Sequence, residues 1–161
     1  MKTVGSLTIT APTDREIVMT RVFDAPRQLV FDAYTKPELV KRWLGVFGKW
    51  TLPVCEIDLR VGGIARYVWR GPDGAEMGMT SVFHEIVVPE RIVASEKFDD
   101  AWYEGEGLGT ITFVEKSGKT TLTMAMTYES KSVRDAVLAS PMETGVAASF
   151  DTLAEILAKS A

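Results

Sequence analysis

The sequence predicts an α+β fold: a curved antiparallel sheet of six or seven strands around a long C-terminal helix, with two short helices after the first strand. Three observations predict it. A strand-like run over 16–23 stops at Asp24-Ala25-Pro26 and hands over to two short amphipathic segments divided by Lys36-Pro37. About six runs of alternating apolar residues follow, joined by short turns. The chain then closes on a stretch with helical spacing from about Ser132 to Lys159. A sheet with one apolar face must be covered, and this last segment is the only element long enough to cover it.

Taken in order, residues 1–14 read as a loose lead-in, with an edge strand at 7–9. In 16–23, Ile17, Met19 and Arg21 alternate with Val18, Thr20 and Val22, the two-residue period of a strand. Asp24 is placed to cap a helix that has Pro26 in its first turn. Leu29, Val30, Ala33 and Tyr34 give that helix an apolar face. Pro37 restarts the helix, and Leu39, Val40, Trp43 and Leu44 form the second face. Strands are expected over 51–59, 64–69, 77–87, 91–98, 108–115 and 120–129. Gly71-Pro72-Asp73-Gly74 and Lys116-Ser117-Gly118-Lys119 mark hairpin turns. With connections this short the sheet is an antiparallel meander. Pro141 interrupts the closing helix or begins its main part, where Met142, Val146, Phe150, Leu153 and Leu157 form one stripe.

The bulk properties exclude several functions. At 161 residues, 46% hydrophobic and 25% charged, the chain has the size and composition of one soluble domain over 1–161. A net charge of −4 argues against a nucleic-acid surface, which needs a basic patch. No apolar run approaches the roughly 18 residues needed to span a bilayer. The opening residues lack a signal peptide's apolar core, so a cytoplasmic location is expected. Cys55 is the only cysteine and His84 the only histidine, which excludes an internal disulfide and the usual zinc sites. Neither a metal nor a cofactor is expected.

The strand periodicity sorts side chains between two faces. Leu122, Met124, Met126 and Tyr128 share one face, and Thr121, Thr123 and Thr127 the other. Tyr67 and Trp69 oppose Arg66, Val68 and Arg70; Ile111 and Phe113 oppose Thr110, Thr112 and Val114. The inward set is rich in Trp, Tyr and Met. Such a set can simply fill a core. A single helix, however, cannot fill a concave sheet of this breadth, so interior space lined by large adaptable side chains is the sharper reading. Ser117-Gly118-Lys119-Thr120 ends like a phosphate-binding loop but sits in a hairpin and lacks the leading glycine, so it is a turn. Gly105, Gly107 and Gly109 precede no helix and make no dinucleotide site. The acidic loop at 99–106 is read as solvated. Glu96, Glu129, Arg66 and His84 are the ionisable candidates for catalysis if they point inward. Cys55 reads as a small apolar packing group.

Five segments, in this order and spacing, resemble one family: RVFDAPRQLVFDAYTKPELVKRWLG, CEIDLRVGG, RGPDG, PERI and ETGVAASFDTLAEIL. They are similar to the bacterial single-domain relatives of the activator of Hsp90 ATPase, within the START-like or Bet v 1-like superfamily. The resemblance spans about 15–158. It implies a helix-grip architecture with an internal apolar cavity. It also implies the superfamily's roles: binding lipids, sterols, polyketides or plant hormones, with some members acting as cyclases or other enzymes. The family's helix-pair end is usually RWWGP-like, whereas here it reads Arg42-Trp43-Leu44-Gly45-Val46.

The expected function is binding of a small hydrophobic or aromatic ligand. Trp43, Tyr67, Trp69 and Met79 are expected on the cavity wall, and so are Phe98, Met126, Met142 and Val146, with Trp102 on a lid loop. The alternatives are a cyclase- or hydratase-like enzyme in the same cavity, or a chaperone-modulating interaction protein. Homodimerisation through the outer sheet face is a further expectation to test.

Overall fold

The computed structural model describes residues 2–100, 103 and 105–160. It has an antiparallel sheet of nine strands rather than six or seven, in the spatial order β1-β2-β3-β9-β8-β7-β6-β5-β4. The additional strands lie mainly in the lead-in. β1 (Lys2–Val4) and β2 (Leu7–Thr10) form a hairpin against β3 (Glu16–Phe23), with Leu7 and Ile9 buried. β2 contains the edge strand expected at 7–9, whereas β1, of three residues, is too short to show alternation in sequence, and pairing with β2 satisfies its backbone.

β3 turns its Ile17, Met19, Arg21 and Phe23 side inward. Arg21 is the exception to an otherwise apolar set. Its Nη1 donates to Asp151 Oδ1 at 2.6 Å, and its guanidinium lies 5.3 Å from the centre of the Phe23 ring. The charge is thus tied to the last helix from the sheet's inner face. At Asp24-Ala25-Pro26 the chain turns into α1 (Arg27–Thr35). Asp24 does not cap it. Pro26 occupies the cap position without a side-chain bond, and the orphan Arg27 N–H donates instead to Glu115 Oε1 at 2.8 Å. A carboxylate brought from a distant strand does the work expected of a local one. Pro37 ends α1 by disfavouring helix at Lys36 and begins α2 (Pro37–Val40).

β4 (Thr51–Ile57), β5 (Ile64–Arg70), β6 (Glu76–Val87) and β7 (Arg91–Phe98) continue the meander. β8 (Gly107–Lys116) and β9 (Lys119–Thr127) complete it. Between them Ser117 and Gly118 both take positive φ, 55° and 78°, the geometry of a tight two-residue hairpin turn. The segment that ends like a phosphate-binding loop is therefore a turn. α3 (Lys131–Ala139) is capped by the Ser130 hydroxyl, which accepts from Val133 N at 3.2 Å. Pro141 separates it from α4 (Met142–Ser160). Phe150, Leu153 and Leu157 of α4 are buried against the sheet's inner face, and Phe150 meets Phe23 edge to face with centroids 5.7 Å apart. No helix among the described residues is long and apolar enough to cross a membrane.

Candidate functional site

The sheet register shows why space remains under α4. Across the strands the inner face forms rows. One row runs Cys55, Tyr67, Met79, Phe98, all large after the first. The next runs Ala65, Ser81, Glu96, Gly107, and the one after it Phe83, Ala94, Gly109, Met126. Small residues in the middle of these rows leave a hollow that one helix cannot fill. The hollow is a cavity of about 270 Å³. A Cβ added to Gly109 would come within 2.8 Å of Met126 Sδ. The glycine is what lets the thioether lie across the cavity floor.

The walls come from every part of the chain. α1 supplies Tyr34 and Thr35; β5 supplies Tyr67 and Trp69; β6 supplies Met79, Ser81 and Phe83. Phe98 and Glu96 come from β7, Met124 and Met126 from β9 with Tyr128 just beyond, and Met142, Val146, Ser149 and Phe150 from α4. Tyr67 and Trp69 stack with centroids 5.8 Å apart and planes 15° from parallel. Tyr103 packs edge to face on both Phe98 and Tyr128, at 6.4 and 5.7 Å. A broader depression of about 590 Å³, bordered by residues 13–16 and Thr127, opens on the surface and has no aromatic wall.

Of the residues expected on the wall, Tyr67, Trp69, Met79, Phe98, Met126, Met142 and Val146 stand on it. Trp43 does not. It is fully buried beside the cavity, where its Nε1 donates to Ala33 O at 2.9 Å and its ring lies between Tyr34 and Phe150. Its donor is engaged and its ring packs against Tyr34 and Phe150, so Trp43 seats the wall residues rather than joining them. Trp102 lies outside the described residues. Tyr34, Ser81, Ala94, Gly109 and Tyr128 were not anticipated. The alternation signal for Tyr128 was present in sequence, while the small residues carry no signal until their rows are aligned.

The four ionisable candidates separate sharply. Glu129 is exposed. His84 is exposed at a bulge in β6, where the register shifts between Phe83 and Glu85. Arg66 lies on the outer face in a two-pronged ion pair with Asp99, at 2.7 and 2.6 Å, which raises its own pKa and holds the Asp99 carboxyl below its ordinary value. Glu96 alone faces the cavity. Half-buried, it lines the interior space. Among the described residues no hydrogen-bonding or charged partner reaches it, and desolvation pushes its pKa up to about 7.

Four tyrosines surround this carboxyl closely enough to feel its charge: Tyr34, Tyr67, Tyr103 and Tyr128. Burial, with Glu96 adding to it, raises all four, Tyr103 to about 12, so their hydroxyls stay neutral donors. Burial likewise pushes the Cys55 thiol up to about 11, against a smaller opposing pull from Lys41. It is no activated thiolate. Among the described residues no three His, Cys, Asp or Glu side chains converge to hold a metal.

A large antiparallel sheet and a C-terminal helix that enclose an aromatic, methionine-rich hollow define a START-like domain. The chain belongs to the family of activator of Hsp90 ATPase homolog 1-like proteins, whose sequence model matches residues 24–158. A Rhodobacter sphaeroides protein of known crystal structure is 31% identical, over 96% of this chain and 99% of its own, with a TM-score of 0.89. A Staphylococcus epidermidis protein solved by NMR is 27% identical, over 96% of this chain and 95% of its own, with a TM-score of 0.80. A Mycobacterium smegmatis protein shares the fold at 22% identity, over 94% of this chain and 96% of its own, with a TM-score of 0.82. No curated protein matches the sequence.

Proposed function

We propose that this domain binds a small, flat, largely apolar ligand inside the cavity, in the helix-grip manner. The observation that carries the reading is the hollow itself: about 270 Å³ walled by aromatic rings and thioethers. At ~30 Å³ per water it has room for roughly nine waters, which corresponds to a ligand of one or two fused rings. Rings supply contact area at fixed geometry, and methionines adapt to ligand shape.

Filling the space tests this. Val146 faces the cavity from α4, so Val146→Trp should place its indole in the hollow with little strain. The expected result is quenching of intrinsic tryptophan fluorescence by naphthalene-sized compounds in the wild type, and at least about tenfold weaker binding in the variant, whose melting temperature stays close to wild type. Equal affinity in both proteins would sink the reading.

One observation favours an enzymatic second reading. Glu96, with its pKa near neutrality and neutral tyrosine hydroxyls around it, has the make-up of a general base beside oxyanion donors. This would suit enolisation of a bound ketone, the first step of cyclase-like chemistry. An aryl methyl ketone held in deuterated buffer should then exchange its α-protons faster with wild-type protein than with E96Q. Identical exchange rates would leave the binding role alone.

A further inference from the structure

We propose that the cavity selects a cationic ligand, an aromatic or other apolar frame bearing an amine, with the nitrogen held at Glu96 and the frame on the surrounding rings. The inference rests on the reading of the cavity as the ligand site and adds the charge of what it takes.

No Lys, Arg or His is among the described residues that line the cavity. Arg66 is paired with Asp99 on the outer face, and Arg21, bonded through Nη1 to Asp151 with its buried Nε unpartnered among the described residues, does not stand on the wall. A fatty acid, phosphate ester or other anion would enter a low-dielectric space, find no counter-charge and meet a carboxyl of its own sign.

What the wall offers is electron-rich almost throughout. Glu96 projects into the space without a partner among the described residues. The stacked pair Tyr67 and Trp69 forms one side. Phe98 and Tyr128 form another, with Tyr103 packed edge to face on both. Ring faces attract cations, most strongly where water is excluded. The thioethers of Met79, Met124, Met126 and Met142 are polarisable. An ammonium group would answer the unpaired carboxylate and the ring faces together, and its hydrocarbon frame would fill the rest.

The groups facing Glu96 set the pH dependence. α1 presents Tyr34; β5 presents Tyr67, with Cys55 of β4 as its cross-strand neighbour; Tyr103 and Tyr128 close the other side. β6 places Ser81 directly opposite Glu96, β8 places Gly107, and α4 brings only uncharged side chains to the wall. Tyrosines and thiol all stay neutral well above pH 7, since burial raises each of them. Glu96 is therefore the wall group that changes charge near neutrality, from a poor cation site at lower pH to a good one at higher pH.

Calorimetric titration of three isosteric probes tests the proposal: 2-(aminomethyl)naphthalene, 2-(hydroxymethyl)naphthalene and 2-naphthoate. At about pH 8 the amine should bind about tenfold tighter than the alcohol, and the naphthoate weakest. The amine's advantage should shrink several-fold at about pH 6, as Glu96 takes up its proton. E96Q should lose the preference for the amine over the alcohol, and a cooperative melting transition shows that the variant is folded. Alcohol binding with no amine preference, or an advantage that grows towards low pH, overturns the charge assignment and leaves the cavity reading standing. Failure of all three probes overturns both.

Discussion

E96Q is expected to melt higher than wild type at about pH 8, by up to roughly 6–12 °C, and at the same temperature at about pH 4. The folded protein holds the Glu96 carboxyl at about 7, against an ordinary value of 4.5. Below the ordinary value the group is protonated in both folded and unfolded states, and its burial carries no charge penalty. As pH rises from about 4.5 towards 7, the unfolded chain releases the proton and the folded one keeps it. The unfolded state then binds fewer protons, so stability falls with pH across this window. Above 7 both states are ionised and the loss levels off. A difference of about 2.5 pKa units corresponds to a ceiling of about 3 kcal/mol, and a chain of this size moves about 2–4 °C per kcal/mol. Glutamine has nearly the same shape and no charge, so it removes the penalty. Wild-type and variant melting temperatures that run parallel from about pH 4 to pH 8 would show that Glu96 is solvated.

The same carboxyl marks how far sequence reasoning reached. The order of elements could be read because proline, glycine and period-two alternation are local signals. The breaks at Pro26, Pro37 and Pro141, and the turn at Ser117-Gly118, stand where they were expected. Capping of α1 could not be read, because Glu115, which reaches its first N–H, is 88 residues away. The cavity was legible as a topological excess of sheet over helix, but its position was not. That depends on Ala65, Ser81, Gly107, Ala94 and Gly109 falling side by side across four strands, and one sequence does not state a register. Parity along β7 puts Glu96 on the face of Ala94 and Phe98, both on the cavity wall. Only the partners of that face show that it looks into empty space. Trp43 failed for a related reason. Its helical face was read correctly, yet an inward tryptophan can sit at a cavity or in the packing beside it. The bond to Ala33 O decides for packing.

Gly45→Ala should lower stability by about 2–4 kcal/mol and disturb the cavity wall, a large effect for one added methyl group. Gly45 lies at the end of the helix pair, with φ +68°, where a side chain is strained. The space its Cβ would need is already taken: an added carbon would collide with Trp69 Nε1 and fall 2.8 Å from Trp69 Cδ1. That indole cannot simply move aside, because its N–H donates to Leu44 O at 2.9 Å and its ring stacks on Tyr67. Gly45 also donates its own N–H to Ser149 Oγ at 3.0 Å, which joins this turn to α4. One residue therefore holds together the helix pair, the last helix and the aromatic side of the cavity. The substitution adds backbone strain to the loss of at least one buried hydrogen bond, and each contributes about 1–3 kcal/mol. The measurements are thermal melting, near-ultraviolet circular dichroism of the tryptophans, and affinity for the naphthyl probes. All three should change together. A variant with wild-type melting and an unaltered aromatic spectrum would show that Trp69 is not anchored to this turn.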